Sequence, residues 1–204
     1  MSADSRRAAT LPVAFFGQDV VAVARGLLGR HLVSEVRGTR TVGVIVEVEA
    51  YLGVTDPASH AFAGRRHAQN EGLYGPPGNW YVYRSYGVHW CANLVTGPPG
   101  EGAAVLLRAL EPLEGRSVMA RRRGTSIPRQ LCAGPGRLTE ALAMTRRLDR
   151  APMPDSPVSV RGGDPAPAGD IVASPRIGIT RAVEWPLRFT LRGSPWVSRP
   201  VPKS

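Results

Sequence analysis

Between Thr41 and Ala50 the chain reads T-V-G-V-I-V-E-V-E-A, which sets two carboxylates, Glu47 and Glu49, in an otherwise apolar run with strand character. Such a run buries itself, and an ionised carboxylate leaves water only at a large cost unless it is paired or put to use. Tyr51 follows Glu49 closely, His60 comes soon after, and Tyr81, Tyr83 and Tyr86 lie close together further on. A carboxylate, an imidazole and several flat rings can hold a planar ring and do acid–base chemistry beside it.

A chain of 204 residues is read as one domain, with residues 1–12 as a flexible polar tail and 13–204 as the folded unit. No apolar run approaches the ~20 residues that span a bilayer. Arg6 and Arg7 are not followed by an apolar segment and cleavage site, so no signal peptide is expected. Cys91 and Cys132 stand in unrelated contexts without metal-ligand spacing, which fits a reduced, cytoplasmic protein. The net charge of +10 points to a polyanionic partner, most often nucleic acid. Of 26 basic residues only Lys203 is a lysine. Codon bias would also enrich arginine, but the forked guanidinium suits phosphate whatever its origin.

The pattern predicts a helix over 18–28, with Asp19 at its start and Gly29 beyond its end. Strands are expected over 31–36 and 41–50, joined through Gly38, then over 79–86 and 88–95, meeting at Tyr86-Gly87, and over 103–110. The long Gly- and Pro-rich segment 53–79 between them reads as a functional loop. Helices are expected over 118–123 and from Gly134 to about Met144, and linking sequence over 150–170. R-I-G-I-T-R (176–181) and P-L-R-F-T-L-R-G-S-P-W-V-S (186–198) read as short strands. Together these make one mixed α+β domain. Tyr81 and Tyr83 share a strand phase, whereas Tyr86 falls out of it at the turn.

Several chemistries act on planar bases. A zinc deaminase needs His next to Glu and a Cys-x-x-Cys pair; neither occurs here. No P-loop or dinucleotide fingerprint is found. Hydrolysis of an N-glycosidic bond needs less, since one carboxylate can activate water and offset the charge building on the sugar. Alkylated purines carry positive charge, leave readily and are attracted to tyrosine faces. Inside a duplex such a nucleotide must be flipped out, and an aromatic side chain at a hairpin tip suits the wedge that fills the gap.

The motifs V-E-V-E-A-Y-L-G, the His60 segment, Y-V-Y-R-S-Y-G, C-A-N, V-L-L-R-A-L-E-P-L-E-G, L-C-A-G-P-G-R-L, R-I-G-I and G-S-P-W-V-S follow one another over roughly residues 14–198. In this order they resemble the alkyladenine (3-methyladenine, or methylpurine) DNA glycosylase family. The resemblance implies a monomer that works on double-stranded DNA with damaged purines, without metal or other cofactor, at the nucleoid. It also implies a curved antiparallel sheet with surrounding helices and a protruding hairpin. By the same resemblance Glu49 activates the attacking water. Tyr51, His60 and Tyr83 wall the flipped base, Asn93 lines the pocket floor, and Tyr86 enters the duplex. Arg108 holds the Glu49–water arrangement and neighbouring phosphate. The start of the loop, Arg65-Arg66-His67, and the bulky Trp80 and Trp90 depart from the family pattern and bear on DNA grip and pocket size.

Other residues carry plainer readings. Glu47 is expected as a buried partner of an arginine and Tyr81 as core. His31, His67 and His89 have no assigned role. Arg121–Arg123 and Arg146-Arg147 are solvated surface with phosphate contact as the alternative. Strand-cleaving glycosylases form a Schiff base, typically through a lysine, so a chain whose one lysine is Lys203 is expected to be monofunctional. Two rival readings are a non-catalytic binder of damaged DNA, which has no use for Glu49, and a hydrolase of free nucleosides, which needs neither the charge nor an exposed Tyr86.

Overall fold

Alternation along the strands sets this architecture, because successive side chains point to opposite faces of a sheet. The computed structural model describes residues 8–201. It contains helices α1 Val13–Phe16, α2 Val20–Leu27, α3 Arg116–Arg123 and α4 Pro135–Ala141. The strands are β1 His31–Ser34, β2 Thr41–Tyr51, β3 Trp80–Ser85, β4 His89–Thr96, β5 Ala103–Glu114, β6 Val158–Arg161, β7 Ile171–Ser174 and β8 Arg188–Leu191. All pair antiparallel in one sheet, in the order β3-β4-β5-β2-β1-β6, with β8 joining β2 and β7 joining β8. This is an α+β domain, as expected.

One face of the sheet is apolar and packs against the helices: Val48 and Ala50, Trp80 and Val82, Ala92 and Leu94, and Val105 and Leu107 all enter the main core, with Leu27 and Leu138 from α2 and α4. The residues between them face the other way and include Glu47, Glu49, Tyr51, Tyr81, Tyr83, Asn93 and Arg108. That second face holds a small cluster of Ala61, Leu73, Tyr74, Tyr81, Val95 and Ala104, beneath the loop 53–79. The loop folds into three short 3-10 turns and is pinned by Asn70, which donates to the His60 and Arg65 carbonyls at 3.0 and 2.9 Å.

Local signals behave as expected where they are self-contained. Asp19 caps α2 by accepting from the Val21 and Ala22 amides at 2.9 and 3.2 Å. Gly29 takes φ +86°, and a Cβ there would meet the Asp164 carbonyl at 2.3 Å, so only glycine fits.

Other expectations change. The stretch 150–170 contains β6, which pairs with β1 from Ser34↔Val158 to His31↔Arg161. Of the expected tail 1–12, residues 1–7 lie outside the described residues, as does Lys203, while Leu11 donates to the Val160 carbonyl at 2.9 Å. Residues 176–181 form no strand, and within 186–198 only Arg188–Leu191 does. The reason is that these segments give their polar groups to buried carboxylates rather than to a ladder. Trp80 is fully buried on the helix-facing side, its Nε1 donating to Ser156 Oγ and the Val158 carbonyl, both at 3.1 Å.

Candidate active site

The site is one row across the sheet. Register places Tyr81 opposite Asn93, Asn93 opposite Leu106, Leu106 opposite Glu49 and Glu49 opposite Arg188. Beside the row the ladder is irregular: Glu47 pairs with Ala109 and Val48 with Leu107, leaving Arg108 as the extra residue of a bulge. Bulges re-aim side chains, and this one turns Arg108 onto both carboxylates. Its Nε donates to Glu47 Oε1 at 3.0 Å, its Nη1 to Glu49 Oε2 at 3.2 Å and its Nη2 to Ser198 Oγ at 3.4 Å. All three nitrogens are thereby engaged inside the protein.

The two carboxylates differ in their remaining partners. Glu47 also accepts from Arg188 Nε at 2.8 Å and Ser198 Oγ at 2.7 Å, and from the Ser198 amide. Burial pushes its carboxyl up, but Arg108, the Ser198 amide, Arg188 and the Ser198 hydroxyl together hold it below the usual range. Glu49 accepts from the Ile177 amide at 2.7 Å and the Tyr51 hydroxyl at 3.0 Å. Its burial is stronger than the help from Arg108, Ile177 and Tyr51, and the Glu47 charge adds to it, so this carboxyl is raised. Burial and then Glu49 raise Tyr51 as well, which keeps its hydroxyl protonated as a donor.

In front of Glu49 opens a cavity of about 1110 Å³, lined among others by Tyr51, His60, Tyr83, Asn93, Arg108 and Ile177. Glu49 itself is fully buried behind three of these groups. Tyr83 and Tyr81 stack, with ring centroids 5.4 Å apart. His60 stands edge-on to Tyr83, its ring 4.5 Å away at 74°. The Tyr51 ring is backed by the Arg176 guanidinium at 4.6 Å, and Arg176 is held in a fully buried ion pair with Asp56. Asn93 donates from Nδ2 to the Tyr81 carbonyl at 3.1 Å. Tyr86 is 92% exposed at the hairpin tip, with φ +49° beside Gly87 at +68°. Trp80 and Trp90 do not line the cavity. Among the described residues no group of three His, Cys, Asp or Glu could hold a metal ion, and no helix is long and apolar enough to cross a membrane.

The family model for methylpurine-DNA glycosylase matches residues 14–195. The chain belongs to the methylpurine-DNA glycosylase family. Among its relatives, a protein of Methanoculleus marisnigri is 49% identical, with 93% of this chain and 99% of that one aligned. One from Agrobacterium fabrum is also 49% identical, over 93% and 92% of the two chains, and one from Rhodopseudomonas palustris is 46% identical, over 93% and 88%. All three carry the name "Putative 3-methyladenine DNA glycosylase". This glycosylase family belongs to base-excision DNA repair and acts on N-glycosyl bonds.

Every candidate residue of this family member lies on the cavity wall or in the carboxylate row, Tyr86 lining the cavity from the exposed hairpin tip. The sequence reading did not find Arg176, Ile177, Arg188 and Ser198. The R-I-G-I and P-W-V-S motifs marked where they lie, but hydrophobic alternation read those stretches as strands.

Proposed function

We propose that the protein excises alkylated or deaminated purines from duplex DNA as a monomeric, monofunctional glycosylase. The flipped nucleotide enters the ring-lined cavity and Glu49 activates the water that attacks its sugar. The observation that carries this reading is the Glu49 carboxylate, raised by burial and held directly behind Tyr51, Arg108 and Ile177. A carboxylate has about four acceptor positions. Three are taken on Glu49, which leaves one for a water, and a raised carboxyl is the better base. Arg108 orients Glu49 and, with its nitrogens engaged, has little to offer a phosphate. Tyr51 and Tyr83 offer faces to the base, His60 offers an edge, and Asn93 closes the floor. Tyr86 fills the space the nucleotide leaves. No lysine occurs within the described residues, which supports base release without strand cleavage.

The test is base release from methylated DNA and from duplex oligonucleotides with one hypoxanthine or one ethenoadenine, read with and without hot alkali. Free base with alkali-dependent strand breaks is expected. A break without alkali, accompanied by a borohydride-trapped adduct, removes the monofunctional reading. Tight binding with no base released favours the binder.

Two further results are expected. Tyr86→Ala lowers base release roughly 10- to 100-fold in single-turnover assays through lost flipping. Its unfolding free energy stays within about 0.5 kcal/mol of wild type, because the ring packs on nothing. Arg65, Arg84, Arg146 and Arg181 are exposed around the cavity. Alanine at any one that contacts a phosphate lowers the slope of log affinity against log salt by about 0.9; unchanged slopes at all four place the DNA elsewhere.

A further inference from the structure

The two rings that offer faces to the cavity have different groups packed against them. Tyr83 has Tyr81, a neutral ring stacked at 5.4 Å between centroids. Tyr51 has a cation, the Arg176 guanidinium, 4.6 Å from the ring centroid. The Arg176 side chain is fully buried and does not line the cavity, whereas Tyr51 does. The Tyr51 ring therefore stands between this charge and the space a base would fill.

Arg176 is fixed by Asp56 and by the backbone beside Tyr51. Its Nη2 donates to Asp56 Oδ1 at 2.8 Å, and its Nη1 donates to the Ala50 carbonyl at 3.0 Å and to Asp56 Oδ2. Asp56 accepts in turn from the Leu52 and Ala58 amides at 3.1 and 2.9 Å. Ala50 and Leu52 flank Tyr51 in the chain, so the clamp holds the cation against the ring.

A tyrosine ring attracts cations through the negative face of its quadrupole. A cation already on one face draws the π density towards itself and repels a second cation on the other. A base stacked about 3.5–4 Å in front of the ring lies roughly 8 Å from the guanidinium, where burial leaves the repulsion weakly screened. Asp56 offsets part of it. The Tyr51 hydroxyl feels the same charge: burial and Glu49 push it up, and Arg176 pulls against them.

We propose that Arg176 is a specificity-determining residue: set behind Tyr51, its charge weakens that wall's preference for cationic bases, so that neutral damaged purines compete better and Tyr83 carries the cation selectivity. This deepens the glycosylase reading above and rests on it. Alkylated bases such as 7-methylguanine are cationic, whereas hypoxanthine and ethenoadenine are neutral. A pocket with two unmodified tyrosine faces would favour the first class more strongly.

Arg176→Gln combined with Asp56→Asn removes both charges of the pair at once, so no buried charge is left unpaired. The readout is the ratio of 7-methylguanine release from methylated DNA to hypoxanthine release from a duplex oligonucleotide. In the double variant this ratio is expected to rise roughly 3- to 10-fold. Arg176→Lys keeps the cation and is expected to stay within about twofold of the wild-type ratio, whatever happens to the separate rates. An unchanged ratio in the double variant, with both rates kept or reduced in parallel, overturns the proposal and leaves the pair as a structural clamp. An equal rise in the lysine variant overturns it as well, because shape rather than charge would then be at work. No release of either base by wild type instead overturns the glycosylase reading. Should the double variant not fold, the rings themselves decide. Tyr83→Leu is expected to lower the ratio roughly 3- to 10-fold and Tyr51→Leu by less than about twofold; equal falls at both rings overturn the proposal.

Discussion

Glu49→Gln is expected to give a folded protein that still binds damaged DNA but releases base roughly 10²- to 10⁴-fold more slowly, the range for loss of a general base. Glutamine keeps the shape of the side chain and one oxygen, which at the Oε2 position still accepts from Tyr51 and Arg108 while the bond from the Ile177 amide to Oε1 is lost. Arg108 retains Glu47 as its counter-ion at 3.0 Å. Because burial raises Glu49, its charge costs the folded state stability relative to the unfolded chain, and removing the charge does not unfold the protein. The same shift sets the acid limb of the wild-type rate. Base release should fall as pH drops through a value above the ordinary carboxylate range, and that limb should vanish in Glu49→Gln. Full base release by the variant would transfer the catalytic role to another group.

The same substitution two positions earlier has the opposite outcome. Glu47→Gln is expected to destabilise the protein by about 3–5 kcal/mol, measured by urea unfolding, because it leaves the buried Arg188 guanidinium facing an amide and Arg108 with Glu49 as its one carboxylate partner. Arg108 and Arg188 both point at Glu47 Oε1, with side chains 8% and 3% exposed. Glu47 is held below its ordinary pKa. Its contribution is therefore complete above the unfolded-state value and disappears as pH falls through the lower, folded-state value. Asp56, also lowered despite burial by its bonds to Arg176 and to the Ala58 and Leu52 amides, adds to the same acid sensitivity. The destabilisation of Glu47→Gln should shrink towards pH 3. A variant as stable as wild type at pH 7 would mean that Arg188 and Arg108 find other counter-ions.

The sequence revealed those parts of the site whose signals are local. The alternating V-E-V-E-A-Y run placed both carboxylates and Tyr51 on one face of β2, and Tyr86-Gly87 placed an aromatic ring at a turn that needs positive φ. Glu47 was expected as a buried partner of an arginine, as it is, and Glu49 as the base, but the late groups that set the two apart were not legible, because they lie 128 to 151 residues away. Those partners come from R-I-G-I and P-W-V-S, where alternation promised strands and buried carboxylates claimed the backbone donors instead. Strand β6 was hidden in a Pro- and Gly-rich stretch, since four residues are too short a run for alternation to stand out. Tyr81 was read as core from its phase with Tyr83. It is indeed buried, but its hydroxyl reaches the cavity through His60, a contact made across 21 residues of chain.

The distances in sequence between Glu47, Glu49 and their late partners bear on when the enzyme becomes active during synthesis. A nascent chain that has emerged only as far as β5 already carries both carboxylates, Tyr51, Arg108 and the hairpin wedge. It still lacks Arg176 behind Tyr51, the Ile177 amide on Glu49, and the Arg188 and Ser198 groups on Glu47. Two buried negative charges then face one guanidinium, so the centre of the sheet does not close and the cavity wall stays unset. Translation of the segment from Arg176 to Ser198 is the step that supplies these partners, and a ribosome stalled before it holds a chain whose two carboxylates lack them.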